Sequence, residues 1–133
     1  MKITITDEIN GFLSFDLRDI LRLINNVEGY RWFLSEINFN YIEPKTNISE
    51  ISQEDYLFCE EAISMINYEI KYNDLNRIAN GNIQIIDGTI KGKNEMNEII
   101  ISIFDSSYWV INTTNNNLIN NIKKRFSEIK IIE

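Results

Sequence analysis

Histidine is missing from all 133 residues, and the chain holds a single cysteine, Cys59, and a single proline, Pro44. Without histidine there is no Ser-His-Asp or Cys-His pair. One thiol cannot form an intramolecular disulfide, and structural zinc, which wants clustered Cys and His, is excluded with it. Acid and base work would fall to carboxylates, Lys, Tyr or Cys59. Long apolar runs are lacking too: the longest are four residues, Tyr56 to Cys59 and Tyr108 to Ile111, against the ~20 that a bilayer span requires. No membrane partner is expected. The N-terminus, Met1 to Glu8, turns polar and acidic too early for the apolar region of a signal peptide, so the expected location is cytoplasmic. Neither Gly-x-x-x-x-Gly-Lys nor Gly-x-Gly-x-x-Gly occurs, which removes the usual nucleotide cradles. No Asp-x-Asp-x-Asp run offers a hard-metal loop. No metal and no cofactor is expected.

Positive charge is also scarce. Thirteen Lys and Arg stand against twenty Asp and Glu, a net charge of −7, which argues against a nucleic-acid partner and for solubility or a basic one. What is abundant is Ile, at 27 residues, and Asn, at 19. Both are written in AT-rich codons, so the tracts Asn115 to Asn117 and Asn120-Asn121 report nucleotide composition before any binding role. The acids are unevenly placed. Between Glu43 and Glu61 there are six (Glu43, Glu50, Glu54, Asp55, Glu60, Glu61) and one base, Lys45, whereas Lys123, Lys124, Arg125 and Lys130 give the last sixteen residues a local excess of positive charge.

The length suits one compact domain over 1–133, and the hydrophobic pattern argues for α+β with a mostly antiparallel sheet and about three amphipathic helices. Ile3 and Ile5 alternate with polar residues as a short strand. Leu17, Ile20, Leu21, Ile24 and Val27 then recur at three and four, predicting a helix capped by Ser14 and ending before Gly29. The aromatic stretch Tyr30 to Ile42 suggests two strands meeting near Glu36 to Asn38, and Pro44 to Asn47 reads as loop. Ser52 to Asp55 resembles a capping box opening a second helix over about 53 to 66. Tyr68, Ile70 and Tyr72 alternate, and Asn80-Gly81 predicts a type I′ turn that sets Ile78 opposite Ile83 and makes Gly81 a backbone requirement. Asp87-Gly88 repeats the device, with Ile85 across from Ile90, and Gly92 to Asn94 follows as loop. Ile99 to Phe104 and Tyr108 to Thr113 flank Asp105-Ser106, predicting a hairpin that faces Ile103 to Tyr108 and Ile101 to Val110. Its apolar residues on both sides place it at the centre of the sheet, covered on both faces. A third helix follows Thr114, with Leu118, Ile119, Ile122 and Phe126 buried and the cations at its C-terminal end. Ile129 and Ile131 make a closing strand.

Each group that could carry chemistry has a plainer role. Asp105-Ser106-Ser107 has the composition of a nucleophile loop and equally of a tight turn, where Asp and Ser bond their own backbone; the turn is the expectation. Glu60 and Glu61, adjacent on a helix, point about 100° apart and do not form a carboxylate pair. Cys59 lies on the apolar stripe with Tyr56, Ile63 and Ile66, as a small core hydrophobe. No catalytic residue is assigned, and the chain is expected not to be an enzyme.

The segment Ile100 to Ile111, with Asp105-Ser106-Ser107-Tyr108-Trp109 at its middle, is followed by a polar turn, an amphipathic helix ending in Arg125-Phe126 and a short last strand. This layout resembles the C-terminal half of small bacterial immunity proteins of polymorphic and contact-dependent growth inhibition systems. The N-terminal strand and helix with Tyr30-Arg31-Trp32-Phe33 are similar to that layout and also to a set of uncharacterised small bacterial proteins. The resemblance implies a non-enzymatic inhibitor that binds a cognate toxin domain, often a basic nuclease. The partner-binding residues expected from the charge pattern are Glu50, Glu54, Asp55, Glu60 and Glu61, steering a cationic partner by Coulomb attraction. The alternative is a cytoplasmic interaction or regulatory domain, also non-enzymatic.

Overall fold

The computed structural model describes residues 1–9, 12–13, 15–41, 67–81, 83–105 and 107–132. They form an α+β unit on a seven-stranded antiparallel sheet. The elements are β1 (Lys2–Ile5), β2 (Glu8–Ile9), β3 (Phe12–Leu13), α1 (Leu17–Leu21), β4 (Arg31–Tyr41), β5 (Tyr68–Ile70), α2 (Tyr72–Ala79), β6 (Ile83–Lys93), β7 (Glu98–Phe104), β8 (Tyr108–Thr113), α3 (Asn116–Arg125) and β9 (Ile129–Ile132). The sheet order is β5-β4-β6-β7-β8-β1-β9, with β2 and β3 as a separate small pair. The predicted helix over about 53 to 66, the Pro44 loop and Cys59 lie outside the described residues. Among the described residues no helix is long and apolar enough to cross a membrane.

Alternation along the strands decides where the core sits. In β7, Ile99, Ile101 and Ile103 are buried while Ile100 and Ser102 are half-buried. Ile3, Ile5, Ile90, Trp109 and Ile111 share the buried face, where Leu17, Ile20 and Leu21 of α1, Leu75 and Ile78 of α2, and Leu118, Ile119 and Ile122 of α3 join them in one cluster. β7 stands fourth of seven, so the hairpin is central as its apolar content suggested, but only one of its faces is fully buried.

The first helix is far shorter than its periodicity predicts. Ser14 lies outside the described residues, and the cap is Asp16: its carboxylate accepts from the Arg18 N–H at 3.2 Å, while Asp19 Oδ2 accepts from the Asp16 N–H at 2.9 Å. After Leu21 the chain tightens, with Leu23 N–H donating to Ile20 O and Ile24 N–H to Leu21 O, before Asn26 takes φ 55° and a 3-10 turn runs Val27–Gly29. Spacing by three and four places Ile24 in the core through a tightened turn as well as through a helix. Burial pushes the Asp16 carboxyl above its ordinary value, with Asp19 adding to the shift and Arg18 opposing it. A raised folded value means the ionised form is disfavoured: the stabilising contribution is present below the unfolded pKa and lost as pH rises through the folded one. Asp16→Asn, which can still cap, is therefore expected to melt no lower than wild type at neutral pH, its advantage vanishing toward pH ~4. Asp16→Ala loses the cap and about 1 kcal/mol. Thermal melts across that range check both.

Three turn signals fall inside elements. β4 is one strand: the Glu36 to Asn38 region is a bulge, where the register with β6 shifts after Ser35 and again after Asn38, and Glu36 has φ 53°. The partner of that bulge is Asp87-Gly88, which sits in mid-strand rather than at a turn, with Gly88 at φ 143°. Gly92 lies within β6 as well, paired with Trp32, and a Cβ there would stand 2.7 Å from the Trp32 ring that crosses it. Asn80-Gly81 ends α2; Asn80 has φ −100° and ψ 2°, and the Gly81 N–H bonds the Ile78 carbonyl at 3.1 Å. The segment read as strand continuing past Tyr72 is thus helical, burying Leu75, Ile78 and Ala79.

Candidate interaction surface

Glu50, Glu54, Asp55, Glu60 and Glu61 all lie outside the described residues. What the fold assembles instead is the end of the sheet where β7 turns into β8. Phe104 pairs with Tyr108, Ile103 with Trp109 and Ile101 with Ile111, one residue off the predicted register, because the loop is three residues, Asp105 to Ser107, rather than two. A slip of one moves every side chain to the other face. It brings Phe104 and Tyr108 side by side on the half-buried face, their rings stacked at 4.9 Å and 14°. Both are exposed, at 42% and 39%, whereas the neighbouring Trp109 is buried against Phe15.

The loop itself has a turn's bonding. Asp105 takes φ 50°, Ser107 N–H donates to Phe104 O at 2.9 Å and Ser107 Oγ to Asp105 O at 3.2 Å. Asp105 N–H donates to Asp87 Oδ1 at 2.7 Å, tying the loop to β6. Glu36 stands on the bulge beside it, its carbonyl 3.2 Å from where a Gly88 Cβ would be. The aromatic pair is therefore accompanied by Asp87 and the exposed Asp105, while Glu36 is exposed on the bulge of β4, on the far side of β6. None of the residues in Glu36–Asn38, Asp87–Gly88 and Phe104–Tyr108 is basic.

No family model, curated protein or solved structure matches the chain. Local chemistry alone must then assign this surface. An exposed aromatic pair held rigid by a hairpin and edged by carboxylates of one sign has the anatomy of a protein-binding anchor: apolar area at the centre, complementary charge at the rim. Cations gather elsewhere. Lys123, Lys124 and Arg125 are exposed at the end of α3, where Arg125 lies over the Phe126 ring, 5.0 Å from its centroid, and 4.0 Å from Asp19. Arg31 and Glu69 form a fork at 2.8 Å across β4 and β5; their mutual hydrogen bonding raises the Arg31 value and lowers that of Glu69.

Sequence reasoning did not single out Phe104 and Tyr108. The usable signal was two aromatic residues immediately flanking Asp-Ser-Ser, which a three-residue loop must place opposite each other.

Proposed function

We propose that this chain is a non-catalytic binding module that neutralises a basic toxin domain, in the manner the resemblance to small bacterial immunity proteins implies. The observation that supports it is the exposed Phe104–Tyr108 stack with Asp87 and Asp105 beside it and Glu36 exposed on the bulge of β4. Aromatic anchors carry most of the energy of such interfaces, and the acidic rim sets the association rate. The acidic stretch Glu50 to Glu61, which follows β4 in the sequence, adds negative charge of the same sign.

The test first looks for an adjacent upstream reading frame that encodes a large secreted protein with a variable C-terminal domain, and takes that domain as the partner; with no such neighbour the proposal fails. Phe104→Ala with Tyr108→Ala is expected to cost at least ~2 kcal/mol of binding, about 30-fold in Kd. Charge reversals (Glu36→Lys with Asp105→Lys, and separately Glu50→Lys, Glu54→Lys, Glu60→Lys and Glu61→Lys) should slow association, and added salt should slow the wild type over a Debye length of about 8–10 Å. Lys123→Glu with Lys124→Glu should keep protection. Melting temperatures are compared first. If only the basic pair matters, or every variant protects equally, the proposal fails.

A further inference from the structure

The strand that closes the sheet, β9, has a bonding pattern that can be worked out residue by residue. Met1 and Thr113 exchange both bonds: the N-terminal amine donates to Thr113 O at 3.3 Å and Thr113 N–H to Met1 O at 3.0 Å. In an antiparallel ladder such closely bonded pairs recur every second residue, so Ile3 with Ile111 and Ile5 with Trp109 follow, and Lys2, Thr4 and Thr6 turn their backbone groups the other way, toward β9. The Thr6 N–H bond to Glu128 O at 3.0 Å agrees. Lys130 and Ile132, paired with Thr4 and Lys2, therefore bond inward. Ile129 and Ile131 direct their N–H and C=O groups outward, to an edge where no described strand pairs.

The side chains along this edge are of two kinds. Ile131, on the core-facing side, is 37% exposed, and Ile132, on the other, is 53% exposed. Lys130 and Lys2 are both exposed on the same face as Ile132, with Lys2 directly across from it, and Glu128 is exposed on that face just before the strand begins. A second copy using the whole edge would pair Ile129 with Ile131 of the partner subunit and so set the two Lys130 side chains opposite each other, where like charges repel. An edge lysine is a known guard against self-pairing. The same lysine attracts a carboxylate.

We propose that the outer edge of β9 accepts an extended segment of another protein with the pattern apolar–acidic–apolar. The two apolar residues pair with Ile129 and Ile131, exchange backbone hydrogen bonds with them and cover Ile131; the acidic residue stands opposite Lys130 with Lys2 on the same face. Backbone bonds supply affinity and the alternating side chains specificity, the mode known as strand addition. It is independent of the hairpin surface and of the toxin assignment.

The test uses the full chain and the labelled peptide fluorescein-Thr-Val-Glu-Val-Thr-amide. A second peptide carries Lys in place of Glu, and a third has both Val nitrogens methylated. Anisotropy should show the Glu peptide binding about five- to tenfold more tightly than the Lys peptide, with the methylated peptide silent and amide exchange slowed at Ile129 and Ile131. Lys130→Glu, with an unchanged melting temperature, should invert the preference. The proposal is overturned by equal binding of the Glu and Lys peptides, by protection at other amides, by an unchanged order in Lys130→Glu, by no binding at millimolar peptide, or by sedimentation as a dimer whose Ile129 and Ile131 amides are already protected.

Discussion

Gly88→Ala is expected to lower stability by about 2–6 kcal/mol, from a total that for such domains is about 5–15. Two effects add. Gly88 has φ 143°, a conformation that side-chain-bearing residues seldom adopt, and holding one there costs ~1–3 kcal/mol. The new Cβ would also stand 2.5 Å from Ile37 Cδ1 and 2.9 Å from Ile37 Cα. The methyl could turn aside, but the backbone atom cannot, and Ile37 is only 1% exposed; overpacking of this kind costs a further ~1–3 kcal/mol. Urea denaturation should show the midpoint fall with the slope preserved. Gly81→Ala is the control. Gly81 follows the end of a helix, away from the bulge, so its substitution should move the midpoint less than Gly88→Ala does. Equal losses at both glycines would mean that the bulge is not where the strain lies.

Asp7→Ala should cost about 2–4 kcal/mol, although Asp7 belongs to no helix or strand of the sheet. Its side chain is nearly buried, with Oδ1 accepting from the Glu128 N–H at 2.6 Å and Oδ2 from the Ser127 N–H at 3.1 Å and Ser127 Oγ at 3.4 Å. Removing the carboxylate strips two backbone donors of their acceptor at once, and each orphaned donor costs ~1–3 kcal/mol. Asp7→Asn keeps one acceptor oxygen and turns an N–H toward the other donor, so it should recover only part of the loss. Thermal melts measure the sum. Amide exchange locates it: Ser127 and Glu128 should open first, since they connect α3 to β9. A variant that melts at the wild-type temperature would remove Asp7 from the joint.

Residues that alternate or recur in the core were legible because periodicity depends on burial alone. β1, the β7–β8 hairpin and α3 lie where Ile3 and Ile5, Ile99 to Thr113 and Leu118 to Phe126 predict. Punctuation was not legible in the same way. Asn-Gly and Asp-Gly supply backbone freedom, but that freedom serves a helix end at Asn80-Gly81 and a strand crossing a bulge at Gly88 as readily as a hairpin turn. Nothing local distinguishes them; the choice is made by Ile37 and the β4 backbone, about fifty residues earlier in the chain. At Tyr68, Ile70 and Tyr72 three alternating residues were too few to outweigh Tyr72, Leu75 and Ala79, which also recur at three and four. The stacked aromatic pair was hidden by loop length, a single residue at Ser107 deciding whether Tyr108 meets Ile103 or Phe104.

β1 lies between β8 and β9, so Thr4 is paired with Val110 on one side and Lys130 on the other. Its neighbours in space are more than a hundred residues away in the chain. Within the domain β1 precedes both of its partners, so it stays unpaired at least until β8 has been made. The hairpin β7–β8 can form first and offers β1 one edge, but a slot with partners on both sides exists only once β9 has been made. A topology with such distant pairings folds slowly, and the interval leaves Ile3 and Ile5 open to other chains. The polar residues around them, Lys2, Thr4 and Thr6, thus have work to do before the sheet exists: they keep a waiting strand in solution.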